Sequence, residues 1–361
     1  MSRVYINGRF LTQRISGVQR FAIEALHALD KIHSNSQTMG RIVVVAPKGT
    51  PRPHLQSIDF ACVGPLQGHI WEQLTLPRVT SRDWLVSFGP TGPISKRNQL
   101  VTIHDAAVYT VPESYSSRFR AFYKAVLPRL VKRTPYVMTV SEFSKDELVV
   151  HLGAERKRVV VCGEGWEHVL SFSQERSVLE KNGLVSGKYF LAVSSVTPHK
   201  NFGVIARALQ HLSEDVYPVA VVGALDDSVF GAIDQSSLSR LKMLGYVSDA
   251  ELRSLYEGAA AFIHPSLYEG FGLPPLEAMA LGCPVIVSQA GALPEVCGDA
   301  ALYFNPNDER ELARLMGQIV QDPDKRAWHV EQGKARIALH SWQLCAQKYA
   351  SLIAALLERR S

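Results

Sequence analysis

Short apolar runs alternate with longer helical patterns along this 361-residue chain. That alternation restricts it to architectures built on parallel sheets flanked by helices. In the first half the strand candidates are residues 3–8 (RVYING), 41–47 (RIVVVAP), 59–64, 84–90, 100–105, 136–141 and 158–163. In the second half they are 189–196, 217–223, 260–266, 284–289 and 301–306. Many are near-continuous runs of Val, Ile, Leu and Ala, as expected of parallel strands buried on both faces. Between them, residues 18–31 place Val18, Phe21, Ala25 and Leu29 on one helical face, and 203–212, 249–259, 275–282, 308–321 and 342–358 also read as helices. The expected fold is α/β: two Rossmann-like domains with mainly parallel sheets, facing a central cleft.

At about 100–200 residues per domain, the length predicts two domains. The seam is expected in the polar stretch Ser173–Gly187, giving domains 1–178 and 179–340 with a final segment 341–361. Hydrophobic residues make up 46% and charged residues 20%, the ordinary balance of a soluble globular protein. No apolar run approaches the ~18 residues that span a bilayer, and the strand-like N-terminus lacks a signal-peptide pattern. A cytoplasmic protein is expected. The five scattered cysteines form no CxxC pair, which fits reduced thiols.

Several nucleotide signatures fail. Gly183–Lys188 imitates a Walker loop but is one residue short between its glycines, and Tyr189 replaces the Ser or Thr. Gly270-Phe271-Gly272 runs into Leu273-Pro274-Pro275 and so breaks the dinucleotide fingerprint. Asp322-Pro323-Asp324 spells D-x-D but follows a helix rather than a strand, so no metal role is expected.

The informative segment is 260–289, AAFIHPSLYEGFGLPPLEAMALGCPVIVSQ. A strand ends near Ser266, a loop carries Gly270 and Gly272, and Pro275 stands where a helix begins. Gly282 closes that helix. Glu269 lies at the strand's carboxyl end, where ligands of such sheets sit, and Glu277 is placed in the first helical turn. Two carboxylates can accept hydrogen bonds from the hydroxyls of a sugar and of a ribose. The glycines let backbone N–H groups approach a ligand, and a helix N-terminus favours a diphosphate. On residues alone, Glu277 can equally complement the helix dipole while the glycines only make a turn.

The spacing Glu269-x7-Glu277 inside YEGFGLPPLEAMALGCPVI closely resembles the EX7E motif of family 4 retaining glycosyltransferases with the GT-B fold. PEVCGDAALYFNP (294–306), VTPHKN (196–201), TIHD (102–105), GVQRFAIE (17–24) and VSEFSKDEL (140–148) have counterparts there. SWQLCAQKYASLIAAL (341–356) resembles the family's closing helix, which implies that 341–361 packs back toward the first domain. The resemblance implies an acceptor-binding first domain and a nucleotide-sugar-binding second one. Glu269 would meet the donor sugar, Lys200 would neutralise the leaving diphosphate and His104 would contact the sugar. Glu277 would hold the ribose, Phe271 and Gly272 would offer backbone N–H groups, and Gly17 would lie near the phosphates. Gly270, Leu273, His199 and Ser194 complete the donor-contacting set. Ser194 and His199 stand where many relatives carry Arg, so positive charge at the diphosphate is thinner here; Arg20 or the helix dipole is the expected compensation.

The implied reaction is transfer with retention and no required metal or other cofactor. GDP-mannose is the leading donor, with a UDP-hexose next, and the acceptor is a glycan or polyprenyl-diphosphate-linked glycan of a bacterial surface polysaccharide. The alternatives are a nucleotide-sugar epimerase of the same fold and a catalytically silent nucleotide-sugar-binding subunit. No nucleic-acid partner is expected.

Charge adds one more expectation. Residues 1–180 carry 23 Lys and Arg against 15 Asp and Glu, and the remainder 16 against 19. Residues 116–133, SSRFRAFYKAVLPRLVKR, place Arg118, Arg120, Lys124, Arg129, Lys132 and Arg133 on an amphipathic helix without an acidic residue. That helix is either an ordinary domain helix with solvated charges or a peripheral anchor on an anionic membrane surface, and both can hold together.

Overall fold

The computed structural model describes residues 3–35, 39–193, 197–213, 216–223 and 239–358. Residues 1–112, 116–165 and 341–361 form one compact unit, and residues 113–115 with 166–340 form the other.

The first unit holds a seven-stranded sheet of β1 (Arg3–Asn7), β2 (Arg41–Pro47), β3 (Asp59–Val63), β4 (Trp84–Ser87), β5 (Gln99–Thr102), β6 (Tyr136–Thr139) and β7 (Val159–Val161). Their order is β3-β2-β1-β4-β5-β6-β7, and every adjacent pair is parallel. The second unit holds β8 (Phe190–Val193), β9 (Val219–Val222), β10 (Leu241–Gly245), β11 (Ala261–His264), β12 (Val285–Ser288) and β13 (Ala301–Phe304). Their order is β10-β9-β8-β11-β12-β13, again all parallel. Both sheets are doubly wound. The strand order reverses between β1 and β4 in the first and between β8 and β11 in the second, and a crevice opens at the carboxyl ends of strands at such a switch point.

The apolar runs form the centres of these sheets because each strand is covered on both faces. In the second unit Phe190, Val219, Ile263, Ile286 and Phe304 pack with Ile205, Leu312 and Met316 from neighbouring helices, all almost wholly excluded from water. Each large aliphatic or aromatic side chain buried in this way contributes about 1.5–3 kcal/mol. In the first unit Tyr5, Val43 and Leu85 pack with Trp71 and Leu76.

The helices used below are α1 (Gly17–Ser34), α2 (Ser117–Arg133), α3 (Gly203–Leu209), α4 (Asp249–Gly258), α5 (Leu273–Ala280), α6 (Glu309–Gln321), α7 (Pro323–Ile337) and α8 (Trp342–Glu358). Their ends are written in local chemistry. Ser248 and Glu251 make a capping box on α4, and Asp308 accepts from the Arg310 and Glu311 amides at the start of α6. The D-x-D at Asp322 has the same kind of role: Asp322 accepts from the Lys325 amide and caps α7, a helix the sequence reading did not contain.

The seam between the units differs from the expected one. It falls between Gly165 and Trp166, before the polar stretch at 173–187. The Trp166 indole donates to the Ile337 carbonyl at 2.9 Å, which ties this part of the chain to the second unit. At the other end, α8 packs along α1 in the first unit. Trp342 lies edge-on to Phe21 at 5.8 Å, and the Tyr349 and Thr102 hydroxyls are 2.6 Å apart. All five cysteines are free thiols. Among the described residues no helix is long and apolar enough to cross a membrane.

Candidate active site

The switch point of the second sheet brings Lys200 and Glu269 together. Lys200 ends the single 3-10 turn Pro198–Lys200 that follows β8, and Glu269 stands in the loop after β11. The Lys200 ammonium donates to both carboxylate oxygens, at 3.0 and 2.8 Å. Asn201 fixes this turn. It adopts a left-handed conformation (φ 51°), and its amide donates to the carbonyls of Pro265 and Pro306. The third neighbour is His264, the buried last residue of β11. Its Nε2 is 3.4 Å from Glu269 Oε1 and 3.2 Å from Ser266 Oγ. Its buried Nδ1 has no hydrogen-bond partner among the described residues, so the ring engages this cluster through Nε2.

Burial alone would push the Glu269 carboxyl upward. The Lys200 charge and the His264 hydrogen bond outweigh it and hold the group far below the usual carboxylate range. Glu269 is therefore an ionised acceptor suited to hydroxyl groups. A Lys ammonium has three donors, and two are spent here. The third remains for an anion.

Glu277 is held differently. Its Oε1 pairs with His168 Nε2 at 2.9 Å, and its Oε2 accepts from the Tyr256 hydroxyl at 3.2 Å. Burial, then the Glu277 charge, push the Tyr256 phenol well up, so it stays a donor. A carboxylate has about four lone-pair sites, so two remain for a diol. Its helix, α5, starts two residues before the expected position. Gly272 caps it with φ 112°, Pro274 and Pro275 fall in its first turn, and Glu277 lies in the second turn rather than the first. Since both prolines lack an N–H, the donors at this helix start belong to residues before them, Gly272 and Leu273 included. The Phe271 side chain is buried edge-on to His340, so only its backbone is available to a ligand.

Gly291 holds the Glu269 backbone in place. Ala292 donates to the Glu269 carbonyl at 2.9 Å. A Cβ on Gly291 would stand 2.5 Å from the Glu269 carbonyl oxygen and 2.7 Å from its amide nitrogen, and φ there is +57°.

His199 does not supply the charge an Arg would. It is buried, and its Nδ1 lies 2.8 Å from Ser114 Oγ. Burial first, then the Lys200 charge, lower its pKa to about 4, so the ring is neutral at pH 7. Arg20 carries its charge 3.8 Å from Glu24 on the next turn of α1. Ser194 lies outside the described residues.

His104 and Gly17 belong to the first unit. His104 follows β5 with its Nε2 3.2 Å from the Phe88 carbonyl, its Nδ1 3.9 Å from Glu164 and its ring edge-on to Phe21 at 4.6 Å. Gly17 opens α1, and a Cβ there would meet nothing within 4 Å. Packing within the chain does not demand glycine at this position.

The lysine–carboxylate pair thus stands at the switch point of a doubly wound sheet, with a second carboxylate on the following helix, in a chain of two parallel sheets, the GT-B architecture. Residues 175–336 match the family model described as glycosyl transferases group 1. The O-antigen chain mannosyltransferase B of Escherichia coli is 32% identical over 257 residues, covering 68% of this chain and 67% of that protein. The O-antigen chain mannosyltransferase RfbU of Salmonella typhimurium is 33% identical over 231 residues, covering 63% of this chain and 62% of that protein. Sucrose-phosphate synthase from Thermosynechococcus elongatus shares the fold, with a TM-score of 0.76 at 17% identity over 99% of this chain and 100% of that one. The chain belongs to the group 1 glycosyltransferases.

Proposed function

We propose that the chain transfers a hexose with retention from a nucleoside diphosphate sugar, GDP-mannose first, to a glycan or polyprenyl-diphosphate-linked glycan. The observation that carries this reading is the bidentate Lys200–Glu269 pair at the β8/β11 switch point. Glu269 binds hydroxyls of the sugar, and the remaining Lys200 donor takes charge developing on the departing diphosphate, an electrostatic stabilisation set up before the reaction. Glu277, oriented by His168 and Tyr256, takes the ribose diol. Mannose leads because both relatives above are named as mannosyltransferases. The leaving phosphate helps deprotonate the acceptor, and no metal is required.

Thermal shift tests the donor. A ligand at about 100-fold above its Kd adds about 2.7 kcal/mol of stability. GDP and GDP-mannose are expected to raise Tm more than UDP and UDP-glucose; the reverse order overturns the choice of GDP. Turnover is expected to persist in excess EDTA, and complete loss there overturns the metal-free reading.

We further propose that the first unit docks on the inner face of the cytoplasmic membrane through one end of α2. A helix crossing from β5 to β6 starts at the carboxyl ends of the strands and finishes at the amino ends. Arg118, Arg120 and Lys124 therefore lie toward the carboxyl end, with exposed Phe119 beside them. Arg129, Lys132 and Arg133 lie toward the other end, where they line a cavity of about 540 Å³ with Arg97. Val126, Leu127, Leu130 and Val131 pack inward. Since three Lys or Arg at an anionic leaflet contribute up to ~3 kcal/mol, replacing Arg118, Arg120 and Lys124 together by Glu is expected to abolish flotation with anionic vesicles. Replacing Arg129, Lys132 and Arg133 is expected to weaken it less. Equal flotation of wild type and the first variant removes α2 as the anchor.

A further inference from the structure

The switch point of the first sheet carries a polar network that the donor site does not use. At its centre is Glu72, fully excluded from water, in a single π-helical turn, Trp71–Thr75. Such turns are rare and recur at functional sites. Glu72 Oε1 accepts from Asn7 Nδ2 at 2.8 Å and from Arg9 Nε at 3.0 Å. Asn7 closes β1 and also reaches Ser87, which closes β4, so the cluster stands at the reversal of strand order. Burial would raise the Glu72 carboxyl, but the His69 hydrogen bond and the Arg9 charge outweigh it and keep it below its ordinary value.

A buried ion pair alone adds little to stability compared with apolar residues of the same volume. This one also leads outward. Glu72 Oε2 lies 3.2 Å from His69 Nδ1, and the His69 side chain is 38% exposed. Engaged inward through Nδ1, the ring has Nε2 left for a ligand, in an orientation set by the carboxylate. Beside it is an aromatic surface from a distant part of the chain. The Phe122 ring is 4.6 Å from the imidazole, and Phe122 meets Tyr123 at 5.3 Å. Both come from the first half of α2, which begins on the carboxyl side of the sheet.

An aromatic face next to an oriented imidazole suits a pyranose. Its C–H face lies against the ring, and a hydroxyl reaches the nitrogen. We propose that His69 and Phe122 form the acceptor-sugar subsite, with Glu72 a positioning residue that fixes the imidazole. This rests on the glycosyltransferase reading above. A lipid chain is the less suitable occupant, because the patch is centred on a polar ring tied to a buried charge.

The test uses the full chain and ligand-observed NMR. The probes are methyl α-mannopyranoside, methyl α-glucopyranoside and methyl N-acetyl-α-glucosaminide, with decyl phosphate as the lipid probe. At least one glycoside is expected to bind. His69→Ala and Phe122→Ala are each expected to weaken it about 10-fold or more, a loss of about 1.4 kcal/mol. His69→Gln, which still offers a polar group at the reach of Nε2, is expected to recover most of the binding. Glu72→Gln is expected to weaken the glycoside as well; should it fail to fold, the two partly exposed positions still decide. Tm shifts with GDP and UDP are expected to stay at wild-type size in all folded variants. The proposal is overturned if no glycoside binds the wild type, if the Ala variants bind it equally, or if decyl phosphate alone depends on His69 and Phe122. Absence of any nucleotide shift in the wild type would instead strike the donor reading, so the two failures are distinguishable.

Discussion

Lys200→Ala is expected to lower kcat by about 10²–10³-fold, or about 3–4 kcal/mol, in a protein that still folds. On the proposed reading Lys200 supplies a preorganised cation where a diphosphate accumulates charge, and it is also the main influence opposing the burial of Glu269. Its loss therefore removes a stabilising group and lets burial raise the Glu269 carboxyl. In the wild type this group stays ionised throughout the ordinary pH range, so no acid limb of the rate profile belongs to it. In Lys200→Ala an acid limb is expected to appear at higher pH. Glu269→Ala is expected to be comparably slow, since on the same reading it removes the acceptor proposed for the sugar hydroxyls. Steady-state rates across pH, with circular dichroism to confirm folding, check both variants. Near-wild-type turnover in either one overturns its assigned role.

Gly291→Ala is expected to cost about 10²-fold in kcat, although residue 291 contributes no side chain to the site. A methyl group there stands within 2.5–2.7 Å of the Glu269 backbone, and those atoms have no flexible end that can give way. The φ of +57° adds about 1–3 kcal/mol of strain for a residue with a Cβ. Glu269 must shift, and a displacement near 1 Å at a reacting centre is worth about 100-fold. Gly282→Ala is the control. Its φ of +73° imposes similar strain, but its Cβ meets nothing within 4 Å. It is expected to lower Tm and leave turnover close to wild type. An equal loss of turnover in the two variants would show that strain, and not displacement of Glu269, sets the rate, and wild-type turnover in both would remove Gly291 from the account.

Gly291 also shows where sequence reasoning stops. The Glu269-x7-Glu277 spacing is local, so a strand, a glycine loop and a helix were enough to expose it. The partners of those carboxylates are not local. His168 reaches Glu277 from 109 positions away, and Lys200 reaches Glu269 from 69. The Lys200 position was suggested by resemblance, whereas His168, Tyr256, His264 and Gly291 gave no spacing signal. Asn201 adjoins Lys200 within VTPHKN, and only its left-handed backbone reveals its task. Buried strands such as Arg41–Pro47 were legible because both faces are apolar. The edge strand Leu241–Gly245 was not: Lys242 and the closing glycine break its pattern, and only one side of it is paired. His199 was placed with the donor contacts by position, but its burial makes it a neutral ring bonded to Ser114. The amphipathic helix at 117–133 was legible as a helix; that its cations divide between opposite ends of the sheet followed only from the crossover it makes.

The most direct measurement of the central claim is product analysis with ¹³C-labelled GDP-mannose and a lipid-linked oligosaccharide acceptor, followed by ¹³C and ³¹P NMR. The expected result is free GDP and a new α-mannosidic linkage in equal amounts, produced by the wild type and nearly absent in Lys200→Ala. Acceptor-independent release of an epimerised free sugar, a β-linkage, or no consumption of GDP-mannose or any UDP-hexose offered in its place would contradict a retaining transfer centred on Lys200 and Glu269.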